Sequence, residues 1–152
     1  FLFTTFVEIE AGRAHIDDMR ARAAEAGREV GVFTTCHVVC RESQAEAEDY
    51  YEHYAVRMAD TESLDFYAGA KEKFSHSHDP EAYTRHRKRF AAGAGTYPLV
   101  GTPKTIAEQM VRMAEVGFSG TTISFVDFKG ELPHFIATVL PLLCRAGLRE
   151  ES

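Results

Sequence analysis

The feature that most constrains the fold is a strong helix signal followed at once by a buried-strand signal. Thr102 is a residue type that caps a helix through its hydroxyl, and Pro103 suits the first helical position, where a missing N–H costs nothing. Gly117 suits a left-handed cap at the end of this helix. Residues 96–101 are predicted to be the loop before it. The apolar, β-branched run 121–126 is typical of a strand covered on both faces, as in a parallel sheet.

The first half of the chain shows the same alternation of strand and helix. The pattern predicts strands over residues 1–6 and 30–40, a helix over 11–26, and a second helix that begins at the capping box of Ser43 and Glu46. The short return from helix to strand favours a parallel β-α-β unit. The fold class is therefore α/β with a parallel sheet.

Residues 61–95 interrupt this alternation and are called the insertion segment below. One or two short helices are expected in it, and insertions of this length often form lids or binding loops. A final helix is predicted over 131–145, with a kink at Pro141. The chain begins without methionine inside a predicted buried strand, so we expect further residues upstream.

Composition indicates one soluble domain with a sizeable core. The chain has 152 residues, 45% of them hydrophobic, with no signal peptide and no apolar run that could cross a bilayer. Its net charge of −6 argues against a general binder of nucleic acid. The cysteines Cys36, Cys40 and Cys144 form no metal-ligand pattern, and two of them lie in an apolar strand. Buried free thiols in a reducing cytoplasm are the expected state.

Four segments stand in the order and spacing of one enzyme family. They are Tyr97–Pro103, Ala114–Phe118, Ile123–Phe125 and Val139–Leu143. In these segments the chain resembles the C-terminal part of the luciferase-like flavin-dependent monooxygenases, to which alkanesulfonate and dimethylsulfone monooxygenases belong. The resemblance implies that residues 1–152 are one partial domain carrying the last three strands of a TIM-like (β/α)8 barrel, with the N-terminal part of the barrel missing.

The resemblance also implies an activity. Such enzymes take reduced FMN from a separate flavin reductase and use O2 to oxygenate a small organic substrate, and they are usually cytoplasmic dimers that bind neither nucleic acid nor membranes. Two alternatives stay open. One is an oxidoreductase of the same superfamily that uses the deazaflavin F420. The other is a non-catalytic half-barrel that serves as a binding or assembly module and needs a partner along its open strand edges.

His37 is the strongest candidate for a catalytic residue. It lies inside the second strand on the face it shares with Phe33 and Thr35, and barrel strands direct one face to the lumen. The alternative is a core histidine that bonds a backbone carbonyl. In the resembled sulfonate monooxygenases the matching pattern is Arg-x-His, and its histidine lines the flavin and substrate pocket. Here Thr35 replaces the arginine, which argues against a strongly anionic substrate.

The other candidates lie at the ends of strands and in loops. Tyr97, close to Gly95, is a candidate for flavin binding, since glycine lets a backbone approach a planar ligand and tyrosine can stack on it. It is as well explained by packing of a loop. Thr4 and Thr5 end the first strand and, with Thr35, are candidates for substrate contacts.

Two polar motifs favour simpler explanations. His76 and His78 have the spacing of metal ligands, but no third ligand is evident, so no metal site is predicted. The basic run Arg85–Arg89 lacks interleaved aromatic residues and is predicted to be a solvated helix face rather than a nucleic-acid site.

Overall fold

The computed structural model describes residues 1–6, 8–72 and 80–150. Over these residues the chain forms four β-strands, seven α-helices and one π-helical turn. In order they are β1 (Leu2–Phe3), α1 (Gly12–Glu25), β2 (Val32–Cys40), α2 (Gln44–Glu52), the π-helical turn (His53–Arg57), α3 (Thr61–Glu72), α4 (Pro80–Gly93), β3 (Tyr97–Gly101), α5 (Pro103–Val116), β4 (Gly120–Ser124), α6 (Phe128–Thr138) and α7 (Leu140–Arg145).

The strands form one parallel sheet with β2 at its centre. β1 and β3 pair with successive parts of the same edge of β2, and β4 pairs with the opposite edge. The registers require this arrangement, because Phe33 pairs with both Phe3 and Gly120 and each strand edge accepts one neighbour at a given residue. The α/β class with a parallel sheet is thereby confirmed.

The main core lies between one face of this sheet and the helices that follow the strands. Its most buried apolar side chains come from β2, β3 and helices α1, α5, α6 and α7, and they are Ile16, Val32, Val38, Leu99, Ile106, Met113, Phe135, Val139 and Leu143. Burial of one such side chain contributes about 1.5–3 kcal/mol relative to exposure. Cys36 and Cys40 are free thiols on this face, and burial raises the pKa of Cys36 to about 11, so its thiol stays protonated at neutral pH.

Several local predictions are confirmed. The Thr102 hydroxyl accepts a hydrogen bond from the Thr105 amide at 3.2 Å, Pro103 opens α5, and Gly117 ends it at a φ of +119°. The Ser43 hydroxyl caps α2 by accepting the Glu46 amide at 3.2 Å. The insertion segment contains two helices, as expected.

Two further findings concern the break in the final helix and the search for membrane-spanning helices. The helix expected over 131–145 is divided at Val139 into α6 and α7, close to the kink predicted at Pro141, and Pro133 is accommodated inside α6. Among the residues that the model describes, no helix is long and apolar enough to cross a membrane.

Three strand predictions need correction. Residues 97–101, predicted to be a loop, form β3, because the short β1 leaves the C-terminal half of one β2 edge free to pair. The first strand is paired only at Leu2–Phe3 rather than over 1–6. The strand predicted over 121–126 is β4, shifted to 120–124, and its residues are half-buried or exposed rather than covered on both faces.

Candidate functional site

The second face of the sheet becomes polar toward the carboxyl ends of its strands. Thr35 and His37 of β2 are in register with Thr122 and Ser124 of β4, and paired residues of parallel strands project to the same side. Phe33 lies on this face at the other end of β2. A graded face of this kind places hydrogen-bonding groups where parallel α/β folds bind their ligands.

His37 lies at the centre of this polar face and is only 3% exposed. Its Nδ1 is 2.7 Å from the Thr96 hydroxyl oxygen, and that hydroxyl donates its single proton to the Gly93 carbonyl at 2.7 Å. With the hydroxyl proton on the Gly93 carbonyl, the histidine donates from Nδ1, and this tautomer has a lone pair on Nε2. That Nε2 is buried and has no hydrogen-bond partner among the described residues.

The surroundings of His37 keep its ring neutral. Burial and, to a smaller extent, the positive charge of Arg89 together lower the pKa of His37 to about 4, because the charged form loses hydration and is repelled by the guanidinium. At neutral pH the ring is consequently uncharged. It can accept a hydrogen bond at Nε2 but does not carry a positive charge to an anion.

The end of α4 packs directly on the histidine. A side-chain Cβ at Gly93 would lie 2.8 Å from the His37 Nδ1 and 2.6 Å from the Thr96 hydroxyl oxygen, both inside contact distance. Only glycine fits at this position without displacing those two groups. The absence of a side chain therefore allows α4 to approach the polar face closely enough to deliver Thr96.

Helix α2 covers the same ring from another side. The Tyr51 ring centroid is 5.7 Å from that of His37, and Lys88 of α4 lies over Tyr51 at 4.7 Å while forming an ion pair with Glu52. Burial raises the pKa of Tyr51 to about 12, so its phenol keeps its proton. Helices α2 and α4 thus bury the His37 ring between them.

Comparison with known proteins identifies the family. The model of the luciferase-like monooxygenase family matches residues 1–120, well over half of the chain. The chain belongs to the luciferase-like monooxygenases.

Two curated relatives are similar over most of this chain. An FMNH2-dependent dimethylsulfone monooxygenase of Pseudomonas putida is 29% identical over 147 residues, which cover 93% of this chain and 40% of that protein. The pyrimidine monooxygenase RutA of Escherichia coli O81 is 29% identical over 134 residues, with coverages of 86% and 35%. This luciferase-like chain therefore spans about two fifths of the length of the curated relatives that it matches.

Solved structures support the fold assignment. DmoA from Hyphomicrobium sulfonivorans superposes with a TM-score of 0.77 at 23% identity, over 99% of this chain and 38% of that one. The long-chain alkane monooxygenase LadA gives a TM-score of 0.73 at 23% identity, over 98% and 37%. The described residues thus have the fold of part of a luciferase-like barrel.

The sequence-predicted site residues of this luciferase-like chain do not all converge. Thr35 shares the face and strand of His37. Tyr97 pairs with Cys36 and therefore lies on the opposite face, where it stacks on Phe6 at a ring distance of 4.4 Å. Tyr97 and His37 are consequently not brought together.

The remaining predicted residues lie at the margins. Gly95 has a φ of +88° and joins α4 to β3. Thr4 bonds the His15 ring at 3.0 Å through its hydroxyl, and its amide donates to the Phe33 carbonyl. Thr5 is exposed. The model therefore places Thr4 and Thr5 at the rim rather than beside His37.

The basic run is engaged within the protein. Arg87 pairs with Asp65 at 2.8 Å, Lys88 pairs with Glu52, and Arg89 donates to the Phe6 carbonyl at 3.0 Å while lying over the Tyr97 ring. These contacts hold α4 on the rest of the luciferase-like fold. His76 and His78 lie outside the described residues.

Sequence reasoning missed two groups of this site. Ser124 and Thr122 carried a usable signal, because their alternation in β4 matches that of His37 and Thr35 once β2 and β4 are paired. Thr96 carried none, since its contact with His37 joins residues 59 positions apart through the packing of the insertion segment.

Proposed function

We propose that the complete protein is a flavin-dependent monooxygenase that uses reduced FMN and O2 to oxygenate a small organic substrate. The observation that carries the proposal is membership of the luciferase-like family, together with relatives named as FMNH2-dependent monooxygenases. The buried, neutral His37 on a polar strand end adds a chemically suitable site.

The residues on this face fit an isoalloxazine ring or a small substrate beside it. His37 offers an unpartnered acceptor at Nε2, and Thr35 and Ser124 project from the same face with hydroxyls that donate or accept. A reduced flavin carries N–H groups and carbonyl oxygens that suit this mixture. When bound, reduced FMN supplies the electrons that activate O2. We assign cofactor or substrate contacts to His37, Thr35 and Ser124.

The covering helices have a separate role in this proposal. Helices α2 and α4 exclude water from His37, and water exclusion strengthens the polar contacts that orient a ligand. Tyr97 and Gly95 support the site indirectly, because Tyr97 lies under Arg89 and Gly95 makes the turn between α4 and β3. Within the insertion segment, α4 acts as the lid, because its end packs on His37.

The proposal extends to substrate class and partners. Where the sulfonate monooxygenases have an arginine, this chain has Thr35. We therefore propose a substrate without a strong negative charge. A flavin reductase would deliver reduced FMN in the cytoplasm, and the enzyme would be a homodimer. Residues 1–152 would form the C-terminal part of its barrel, with the remaining strands supplied from outside this segment.

The test is isotope incorporation by the complete gene product. The protein is incubated with a flavin reductase, FMN, NADH and ¹⁸O2 together with small neutral sulfones, pyrimidines or alkanes. A product one ¹⁸O atom heavier, formed only with reduced FMN, is the expected result. Failure to incorporate oxygen, combined with reduction or oxidation of F420, would assign the chain to the F420-dependent oxidoreductases instead.

His37→Ala provides the residue-level test of the same proposal. Loss of the Nε2 acceptor is expected to lower turnover by at least about tenfold while the fold is retained. His53→Ala is the matched control, because it removes another histidine whose side chain is exposed. Equal turnover in wild type and His37→Ala would remove His37 from the mechanism.

A further inference from the structure

We propose that Thr96 is a positioning residue that holds His37 in the Nδ1-protonated tautomer, so that Nε2 accepts a hydrogen bond from an N–H or O–H donor on the ligand. The inference rests on the proposed function for the identity of that ligand, FMN or a substrate beside it. The tautomer itself follows from contacts within the chain.

The direction of the hydrogen bonds determines the tautomer. The Gly93 carbonyl can only accept a hydrogen bond, so the Thr96 hydroxyl donates its one proton to that carbonyl at 2.7 Å. The same hydroxyl oxygen then meets the His37 Nδ1 with a lone pair at 2.7 Å. Two lone pairs at this distance would repel each other, so Nδ1 carries the proton.

The opposite tautomer would disturb both ends of the ring. With the proton on Nε2, the Thr96 hydroxyl would have to turn toward Nδ1 and give up its 2.7 Å bond to the Gly93 carbonyl, which would keep only the Thr96 amide as a donor at 3.1 Å. The ring would also bury an Nε2–H group that finds no acceptor among the described residues. The doubly protonated ring is disfavoured too, because the site is buried and Arg89 of α4 lies near it.

The orphaned acceptor indicates the chemistry of the ligand group. A buried Nε2 lone pair without a partner is satisfied by a donor and repelled by a carbonyl oxygen or an anion. The charged and titratable neighbours do not supply that donor. Tyr51 contacts the ring through its aromatic face, and Lys88 is engaged with Tyr51 and Glu52. We therefore assign Nε2 to an N–H or O–H group of the bound molecule.

The first experiment reads the tautomer directly by NMR. The complete gene product is labelled with ¹⁵N-histidine, and the His37 ring signals are assigned by their loss in His37→Asn. Wild type is expected to show a protonated Nδ1 and an unprotonated Nε2 at pH 7. Thr96→Val, which removes the hydroxyl, is expected to shift the population toward the Nε2-protonated form, and Thr96→Ser to restore the wild-type pattern.

A protonated Nε2 in the wild type, or an unchanged tautomer in folded Thr96→Val, would overturn the inference. A purely structural role for Thr96 would alter stability without changing which ring nitrogen is protonated. Thr96→Ser guards against misfolding, since it keeps the hydroxyl and loses only a methyl group. This readout requires no bound flavin and no activity, so it stands apart from the proposed function.

The second experiment adds oxidised FMN, whose ring N3–H is a donor, and follows binding by flavin fluorescence. If FMN binds, the Nε2 resonance is expected to move toward hydrogen-bonded values while Nδ1 stays protonated. FMN that binds without moving Nε2 would rule out FMN as the source of the donor and assign it to the substrate. Absence of FMN binding would count against the proposed function, and the tautomer would still be judged by the first experiment. In turnover, Thr96→Val is expected to lower kcat about tenfold and Thr96→Ser much less.

Discussion

At the scale of the residue, His37 makes the stability of the protein depend on pH. An unperturbed histidine titrates near 6.5, whereas the folded protein lowers the pKa of His37 to about 4. Between these values the unfolded state binds more protons than the folded state, so the free energy of unfolding decreases as the pH falls. Titration across this whole pH range lowers the free energy of unfolding by about 3 kcal/mol.

We therefore expect the stability difference between wild type and His37→Asn to shrink by about 2–3 kcal/mol from pH 7 to pH 4.5. Urea unfolding of the complete gene product at both values provides the measurement. The control is His53→Gln, which replaces a histidine at an exposed position. Parallel pH profiles for wild type and His37→Asn would contradict the buried, neutral ring.

Gly93 allows a second prediction with a clear sign. Alanine is a better helix residue than glycine by roughly 0.5–1 kcal/mol, so Gly93→Ala would stabilise α4 if space were available. The added Cβ would instead lie 2.8 Å from His37 Nδ1. Overpacking of this kind costs about 1–3 kcal/mol, so we expect lower stability in urea unfolding. A variant as stable as wild type or more stable would show that α4 does not press on His37.

The residues of the site differ in how visible they are to sequence reasoning. The face of His37 follows from the alternation within one long apolar strand, which is a local property. Tyr97 could not be placed in the same way, because its segment was taken for a loop and its side depends on pairing with Cys36. Thr96 meets His37 only through the docking of α4, which no local pattern encodes.

At the scale of the element, Arg89 links α4 to β3 and to the residues after β1, and its charge acts on His37. It donates to the Phe6 carbonyl after β1, lies 5.0 Å from the Tyr97 ring centroid in β3, and lowers the pKa of His37 by its charge. Arg89→Met removes the charge and keeps an apolar stem. We expect the pKa of His37 to rise above about 4 but to stay below 6.5, since the ring remains buried.

An NMR titration of the His37 ring proton measures that shift. Arg87→Met is the matched control on the same helix, because Arg87 pairs with Asp65 and is not among the causes of the His37 shift. Amide exchange in α4 should also accelerate in Arg89→Met, since an anchor to β1 is lost. An unchanged pKa would mean that burial alone keeps the ring neutral.

Elements with strong local signals were predictable, and those created by pairing were not. The caps at Thr102 and Gly117 bounded α5 correctly, since capping is chemistry within a few residues. Strand β3 depends on the part of the β2 edge that β1 leaves free, which is a property of strand pairing and not of the local sequence. The division of the last helix near Pro141 was predictable in kind, but its position at Val139 was not.

At the scale of the whole molecule, the described sheet leaves strand edges and aromatic surface uncovered. No described strand pairs with the outer edges of β1 or β4. Phe1 and Phe3 are 94% and 58% exposed beside Phe33. Unpaired parallel edges and exposed aromatic side chains are unfavourable in water, so these surfaces need a covering element.

We predict that further strands of the same polypeptide provide this cover, as the family fold implies. The complete gene product should then have an intact mass well above the 17.0 kDa of residues 1–152. The amide protons of β4 should be strongly protected from exchange, because both of its edges would be paired. If the mass is near 17.0 kDa and the β4 amides are protected, a second copy of the chain would have to cover the open strand edges. A monomer of that mass with flavin-dependent oxygenation would contradict the partial-barrel interpretation, since a closed barrel is what brings a parallel sheet's polar strand ends together around one ligand.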